Sequence, residues 1–216
     1  MSIRKSEIIT GLIMITSFIL VAIFYPQLPD KIASHWNIQG QVDGYMTKSW
    51  GIFFPPTISA VLWILFLIIP RIDPKKENIQ KFRKYFNGFI ILLFLFLLFI
   101  YLLTIFWNLG YHFNIIRFLT PAIGILFYYA GILVSNAQPN WSVGIRTPWT
   151  LSNETVWQKT HHLGGILFRI CGVLSFVAIF WTKIAFFLVL GSAIVSALIC
   201  IIYSYWLYKE ILILKS

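Results

Sequence analysis

Acidic residues are scarce in this chain. It has seven Asp and Glu against 17 Lys and Arg, a formal net charge of +10 over 216 residues. Charged residues of both signs reach only 11%, and hydrophobic ones reach 59%. Soluble domains are about a quarter charged and roughly half apolar. A water-soluble fold of this length could not hide so much apolar surface, so the bilayer must be the solvent. All seven acids lie at the ends of apolar segments or between them. That weighs against proton-coupled transport, whose sites use acids inside the membrane.

Cysteine is equally sparse. Cys171 and Cys200 both sit inside apolar runs. They form no CxxC motif and no disulfide framework, and such residues pack as small apolar groups. No HExxH motif occurs, and the adjacent His161 and His162 would point about 100° apart on a helix, so they do not readily share a metal. There is no internal repeat and no low-complexity linker. The alternating strands of about 10 residues that a membrane barrel needs are absent. The basic excess lies at segment ends and in loops, without a basic amphipathic face. This fits a positive-inside bias and contact with anionic membrane lipids, with no direct nucleic-acid binding.

What is present is six apolar segments, roughly 7–25, 50–70, 88–108, 117–135, 163–182 and 185–207. Each is close to the ~20 residues that cross a bilayer as a helix. The fold expected is therefore all-α: a polytopic membrane protein with six transmembrane helices. The first run is too long for a signal-peptide core and ends in Tyr25-Pro26-Gln27-Leu28-Pro29 without a cleavage site, so it reads as an uncleaved span. Twelve Lys and Arg fall in the N-terminus, the second loop, the fourth loop and the C-terminal tail, against four on the opposite side. This split puts both termini in the cytoplasm. Pro55-Pro56 predicts a late start or a kink in span two, Pro70 and Pro74 its end, and Pro121 the first turn of span four. Residues 1–70 read as a two-span unit with an extracytoplasmic loop at 26–49. Residues 71–216 read as a four-span unit with a cytoplasmic loop at 136–162.

Two loops carry the polar chemistry. In the first, Pro29, Asn37, Gly40 and Gly44 are turn formers, Ala33 to Asn37 reads as extended, and Gly40 as a turn. Asp30, His35 and Asp43 offer metal-ligand types, but at no standard spacing, and structural hydrogen bonding is the better reading. Trp36 and Tyr45 read as interfacial anchors. In the fourth loop, Ser152 is a candidate N-cap with Glu154 in the first turn of a short helix from Asn153 to about His162. Val156 and Trp157 would face the membrane or a neighbouring helix. Gly164-Gly165 would break the helix or admit close packing. Trp141, Trp149 and Trp157 suit an aromatic belt. Arg146, held between Gly144 and Thr147-Pro148, contacts either a lipid phosphate or Glu154, or else a partner or substrate. Arg169 is the one charge inside a span. It sits shallow enough to snorkel, with Glu7 and Glu154 as candidate ion-pair partners.

The run Gly144-Ile145-Arg146-Thr147-Pro148-Trp149-Thr150-Leu151-Ser152-Asn153-Glu154-Thr155-Val156-Trp157, continuing to His161, is similar to the cytoplasmic signature of the SdpI family of bacterial multi-span immunity and signalling proteins. Leu28-Pro29-Asp30-Lys31-Ile32, with His35-Trp36-Asn37, Gly40 and Val42-Asp43-Gly44-Tyr45, resembles the N-terminal domain of unknown function often fused to it. The resemblance implies a cell-membrane protein that protects its producer from a secreted toxic peptide, without cofactor or catalysis. It also implies a signalling mode in which a cytoplasmic transcriptional repressor is held at the membrane. On that likeness Gly144, Arg146, Thr147, Pro148, Trp149, Asn153, Glu154 and Trp157 form the partner-facing site. Pro29, Asp30, His35, Trp36, Asn37, Gly40, Asp43 and Gly44 form the outer site that senses toxin. The competing readings are a small transporter or channel and, with less support, a membrane-embedded enzyme.

Overall fold

In the computed structural model, residues 3–214 are described. The chain runs through α1 (Ile3–Phe24), β1 (Lys31–Trp36), β2 (Val42–Thr47), α2 (Lys48–Ile72), α3 (Lys76–Lys81), α4 (Arg83–Asn108) and α5 (Ile115–Asn136). It continues through α6 (Pro148–Ser152), α7 (Glu154–Val177), α8 (Thr182–Phe186) and α9 (Ser192–Ile213). Six helical segments are long and apolar enough to cross a membrane: α1, α2, α4, α5, α7 and the segment Thr182–Ile213. In the last of these, a π turn over Phe187–Gly191 joins α8 to α9. The spans are helical for the reason the sequence gives: in hydrocarbon only a helix satisfies the backbone of a single segment.

α2 ends at Ile72, between Pro70 and Pro74 as the sequence places it, whereas Pro55-Pro56 do not delay its start and Pro121 lies beyond the first turn of α5. α2 starts at Lys48 and runs through Pro55, Pro56 and Pro70, ending two residues beyond the last of them. Pro56 has no N–H to give the Ile52 carbonyl four residues back. That carbonyl instead accepts the Tyr101 hydroxyl of α4 at 3.0 Å. Pro121 is an interior residue of α5, because the helix begins at Ile115, capped by the Asn114 side chain, which accepts the Ile116 amide.

The loop between the first two spans folds as a two-stranded antiparallel hairpin, so the spans are all-α while this loop adds a small sheet. Lys31 faces Thr47, Ala33 faces Tyr45 and Trp36 faces Val42, with irregular register around His35. Ala33 and Gly40 fall where the sequence placed an extended segment and a turn. Asn37 Oδ1 accepts the amides of Gln39 and Gln41, and Gly40 takes a φ of 79°. The hairpin is tied to the helices by Asn108 at the end of α4. Its side chain accepts the Ala33 amide at 2.7 Å and donates to the Ala33 carbonyl at 3.0 Å, as a neighbouring strand would.

Two apolar clusters hold the bundle. Val21, Leu28, Ile32, Ile52, Tyr101 and Ile105 pack beneath the hairpin. Ile79, Phe82, Phe86, Ile90, Phe94, Leu133, Ala137 and Trp157 pack at the opposite end. α5 and α7 form the most extensive helix pair. Their contact is made by glycine: a Cβ on Gly131 would lie 2.6 Å from the Gly165 carbonyl oxygen, and one on Gly172 would lie 2.8 Å from that of Gly124. Gly164-Gly165 therefore leave α7 unbroken and let it approach α5. Close approach of this kind drives helix association where lipid is as apolar as the side chains.

Candidate functional site

The signature run folds as two capped helices in succession. Thr147 caps α6: its hydroxyl accepts the Thr150 amide, and Thr150 Oγ1 accepts the Thr147 amide at 2.9 Å, a reciprocal box with Pro148 in the first turn. Ser152 therefore ends α6 instead of capping the next helix, and its hydroxyl donates back to the Pro148 carbonyl. Asn153 is the cap of α7, accepting the Val156 amide at 3.1 Å. Glu154 sits in the first turn of α7, where a carboxylate suits the positive helix end. The helix then runs on without a break as span five.

Below this run lies a buried polar core, in which the Thr160 hydroxyl alone finds no hydrogen-bond partner among the described residues. His161, 2% exposed, accepts the Ile145 amide at Nε2, 3.0 Å away, which leaves its ring proton on Nδ1 facing the Trp157 carbonyl at 2.8 Å. Gly144 has a φ of +121°, and a Cβ there would collide with His161 Nε2. Only glycine meets both demands. Trp157 is 1% exposed and its indole N–H donates to the Ala137 carbonyl at 2.8 Å. It is thus a core residue and no part of an interfacial belt. Val156 is buried with it. Thr147 Oγ1 donates to Ser204 Oγ of α9 at 3.1 Å, and the Trp149 ring meets Tyr205 edge-on at 5.2 Å.

The predicted partner-facing residues thus divide. Gly144, Thr147, Asn153 and Trp157 build the loop, while Arg146, Pro148 and Glu154 are exposed and Trp149 is half-buried. Arg146 does not pair with Glu154; it donates to the Trp141 carbonyl. The sequence reading missed the groups that anchor the loop from elsewhere. Asp73, buried just after α2, accepts the Trp141 amide at 3.1 Å and the Ser142 hydroxyl. Asn78 Nδ2 donates to the Pro139 carbonyl at 2.8 Å. Asn140 accepts the amides of Ser142 and Val143 and donates to the carbonyls of Gln138 and Val143. A short Asn- and Asp-rich spacing around turns was the only signal available for them.

At the opposite end, the hairpin forms one wall of a cavity of about 570 Å³. His35, Trp36, Asn37 and Asp43 line it, together with Ile116, Leu119, Thr120 and Ile123 of α5 and Ala185, Phe186, Val189 and Leu190 around the π turn. Of the predicted outer-site residues, these four reach the cavity. Pro29, Asp30, Gly40 and Gly44 do not line it. Asp30 lies 3.8 Å from the Lys48 ammonium, and Gly44 packs on His35. His35 Nδ1 and Asp43 Oδ1 are 2.5 Å apart. Trp36 stacks edge-on against Trp107, and its indole N–H is buried without a partner among the described residues. No group of three or more His, Cys, Asp or Glu gathers among the described residues in a way that would hold a metal. The cavity is a predominantly apolar chamber with a polar rim, the form that binding sites for amphiphilic ligands take.

Arg169 is half-buried, and its Nε donates to the Gly165 carbonyl at 3.0 Å. Its two candidate partners are not engaged with it: Glu7 pairs with Arg71 at 2.7 Å, and among the described residues no ion pair reaches Glu154. The guanidinium is held by its own helix.

Comparison with known proteins finds two stretches of the chain similar to family models. The SdpI/YfhL protein family matches residues 136–204, the loop, α6, α7 and most of α9. A domain of unknown function, DUF1648, matches residues 12–60, which include the hairpin. The chain is similar to the immunity protein SdpI of Bacillus subtilis (strain 168), with 28% identity over 208 residues, 96% of this chain and 98% of that protein. No solved structure matches it.

Proposed function

We propose that this multi-pass cell-membrane protein of the SdpI/YfhL family is an immunity protein, which protects its cell by capturing a secreted toxic peptide at the hairpin end. The observation that carries this reading is the 570 Å³ cavity between the hairpin and spans four and six. It is mostly apolar, is rimmed by His35, Asp43 and the unpartnered Trp36 indole, and suits one amphipathic segment of a membrane-active peptide. With the termini in the cytoplasm, as the basic residues favour, that cavity faces outward. The signature loop then faces inward, with Arg146, Pro148 and Glu154 as the surface offered to a cytoplasmic repressor.

Survival of a toxin-sensitive Gram-positive strain, with and without this protein, tests the reading across a dose series of the secreted toxin peptide of this family. Protection by the wild type and its loss in Leu119→Trp, which fills the cavity, would support capture there. Equal survival with and without the protein, once it is confirmed in the membrane, would remove immunity to that toxin. Uptake in vesicles driven by a proton gradient would then favour the transporter alternative.

A further inference from the structure

We infer that the groove between the first turns of α7 and the last turns of α9 is a headgroup site for a monoanionic phospholipid. The groove encloses about 510 Å³. Lys159 comes from α7 and Lys209 from α9, fifty positions apart in sequence, and both line it. Both are exposed, and among the described residues neither ammonium has an ion-pair partner. Two cations brought to one groove by separate helices repel each other, with Glu210 the one acid in its lining, and a further anion between them relieves the remaining cost.

The surrounding groups define which anion. Leu207 is buried at the floor, and Tyr203 and Trp206 supply aromatic walls. Lys209 Nζ lies 5.6 Å from the Trp206 ring centre, so the indole holds the ammonium at the rim. Indole and phenol rings favour the headgroup level of a bilayer. The two helix ends meet at that depth, and Ile202 and Ile213 of α9 remain exposed for acyl chains. Glu210 also lines the groove and leaves it one net positive charge against the two lysines. That single charge suits a phosphodiester, which carries one negative charge, better than a free phosphate dianion. The site adjoins the signature helices, since Tyr205 on α9 packs on Trp149. It does not depend on the toxin reading.

Native mass spectrometry of the full chain in detergent tests it, with phosphatidylglycerol, phosphatidylcholine and inorganic phosphate titrated separately. Phosphatidylglycerol should bind in preference to phosphatidylcholine. Lys159→Gln with Lys209→Gln should weaken it roughly 10- to 30-fold, about three- to fivefold per lysine near a charged surface. Lys75→Gln with Lys76→Gln removes the same charge at another loop and should leave binding unchanged. Both groove lysines are exposed, so the double variant should melt like the wild type without lipid. Equal affinity for the two lipids, undiminished binding by the groove variant, or displacement of lipid by inorganic phosphate would each overturn the site.

Discussion

Trp157 and His161 lie one helical turn apart on α7 with their rings stacked, centroids 3.9 Å apart and planes 16° from parallel. The stack fixes the imidazole so that Nε2 receives the Ile145 amide from the loop. A ring protonated on both nitrogens would turn an N–H toward that amide, so the neutral form is the one that closes the loop. His161→Phe keeps a flat ring but strands the Ile145 N–H. An unpartnered buried donor costs about 1–3 kcal/mol. The variant should therefore melt several degrees lower in detergent, and the Ile145 amide should exchange faster with solvent. Unchanged melting and exchange would mean that the loop is held without this bond.

Gly131 and Gly165 set the spacing of α5 and α7. A methyl on Gly131 would sit 2.6 Å from the Gly165 oxygen and 2.9 Å from the Arg169 amide nitrogen. These are backbone atoms, which move only if the helices separate. Gly131→Ala should lower the melting temperature and the yield of monodisperse protein. Gly191 offers the contrast: its φ is −61° and nothing lies within 4 Å of the added methyl. Gly191→Ala should leave both quantities intact. Equal behaviour of the two variants would show that the glycine contact does not limit packing.

Arg146 presents its guanidinium at the surface and spends one N–H on the Trp141 carbonyl. Surface charges away from buried networks change stability by less than about 0.5 kcal/mol. Arg146→Ala should accordingly insert, fold and melt like the wild type while losing protection or signalling. Full activity at normal membrane levels would take Arg146 out of the partner-facing site.

The spans were legible because long apolar runs of fixed length admit one solution in a bilayer. The hairpin was half legible: Ala33 to Asn37 and Gly40 showed extension and turn, but the partner strand Val42–Thr47 has no clean alternation. The cap of α7 was misplaced by one residue because Ser152 and Asn153 are both good caps. Pro148 decides between them by starting α6 first. The sequence leaves Trp157 between a neighbouring helix and the membrane interface, and burial selects the first, because a helix in lipid is apolar on every side and periodicity does not mark its inward face. Asp73 bonding to Ser142 and Ile145 bonding to His161 join segments 69 and 16 residues apart. No local pattern encodes such pairs. The cavity depends on where the hairpin rests and on the π turn over Phe187–Gly191, both consequences of tertiary packing.

Tyr101 and Ile52 test how proline is accommodated in α2. Ile52 is 1% and Tyr101 2% exposed, so no water serves the carbonyl that Pro56 leaves open. Tyr101→Phe removes the one hydroxyl that does, and should cost about 1–3 kcal/mol. Pro56→Ala restores an amide hydrogen four residues after Ile52, so the helix can close its own bond and the hydroxyl becomes dispensable there. In that background Tyr101→Phe should cost far less. A four-member cycle measured by denaturant unfolding in detergent separates the outcomes. Contacting residues that share one acceptor give coupling of about 0.5–3 kcal/mol, whereas independent sites add within about 0.5. Additive behaviour would mean that the Ile52 carbonyl finds its partner elsewhere. Coupling would establish that α4 supplies the hydrogen bond that lets α2 carry proline in its third turn.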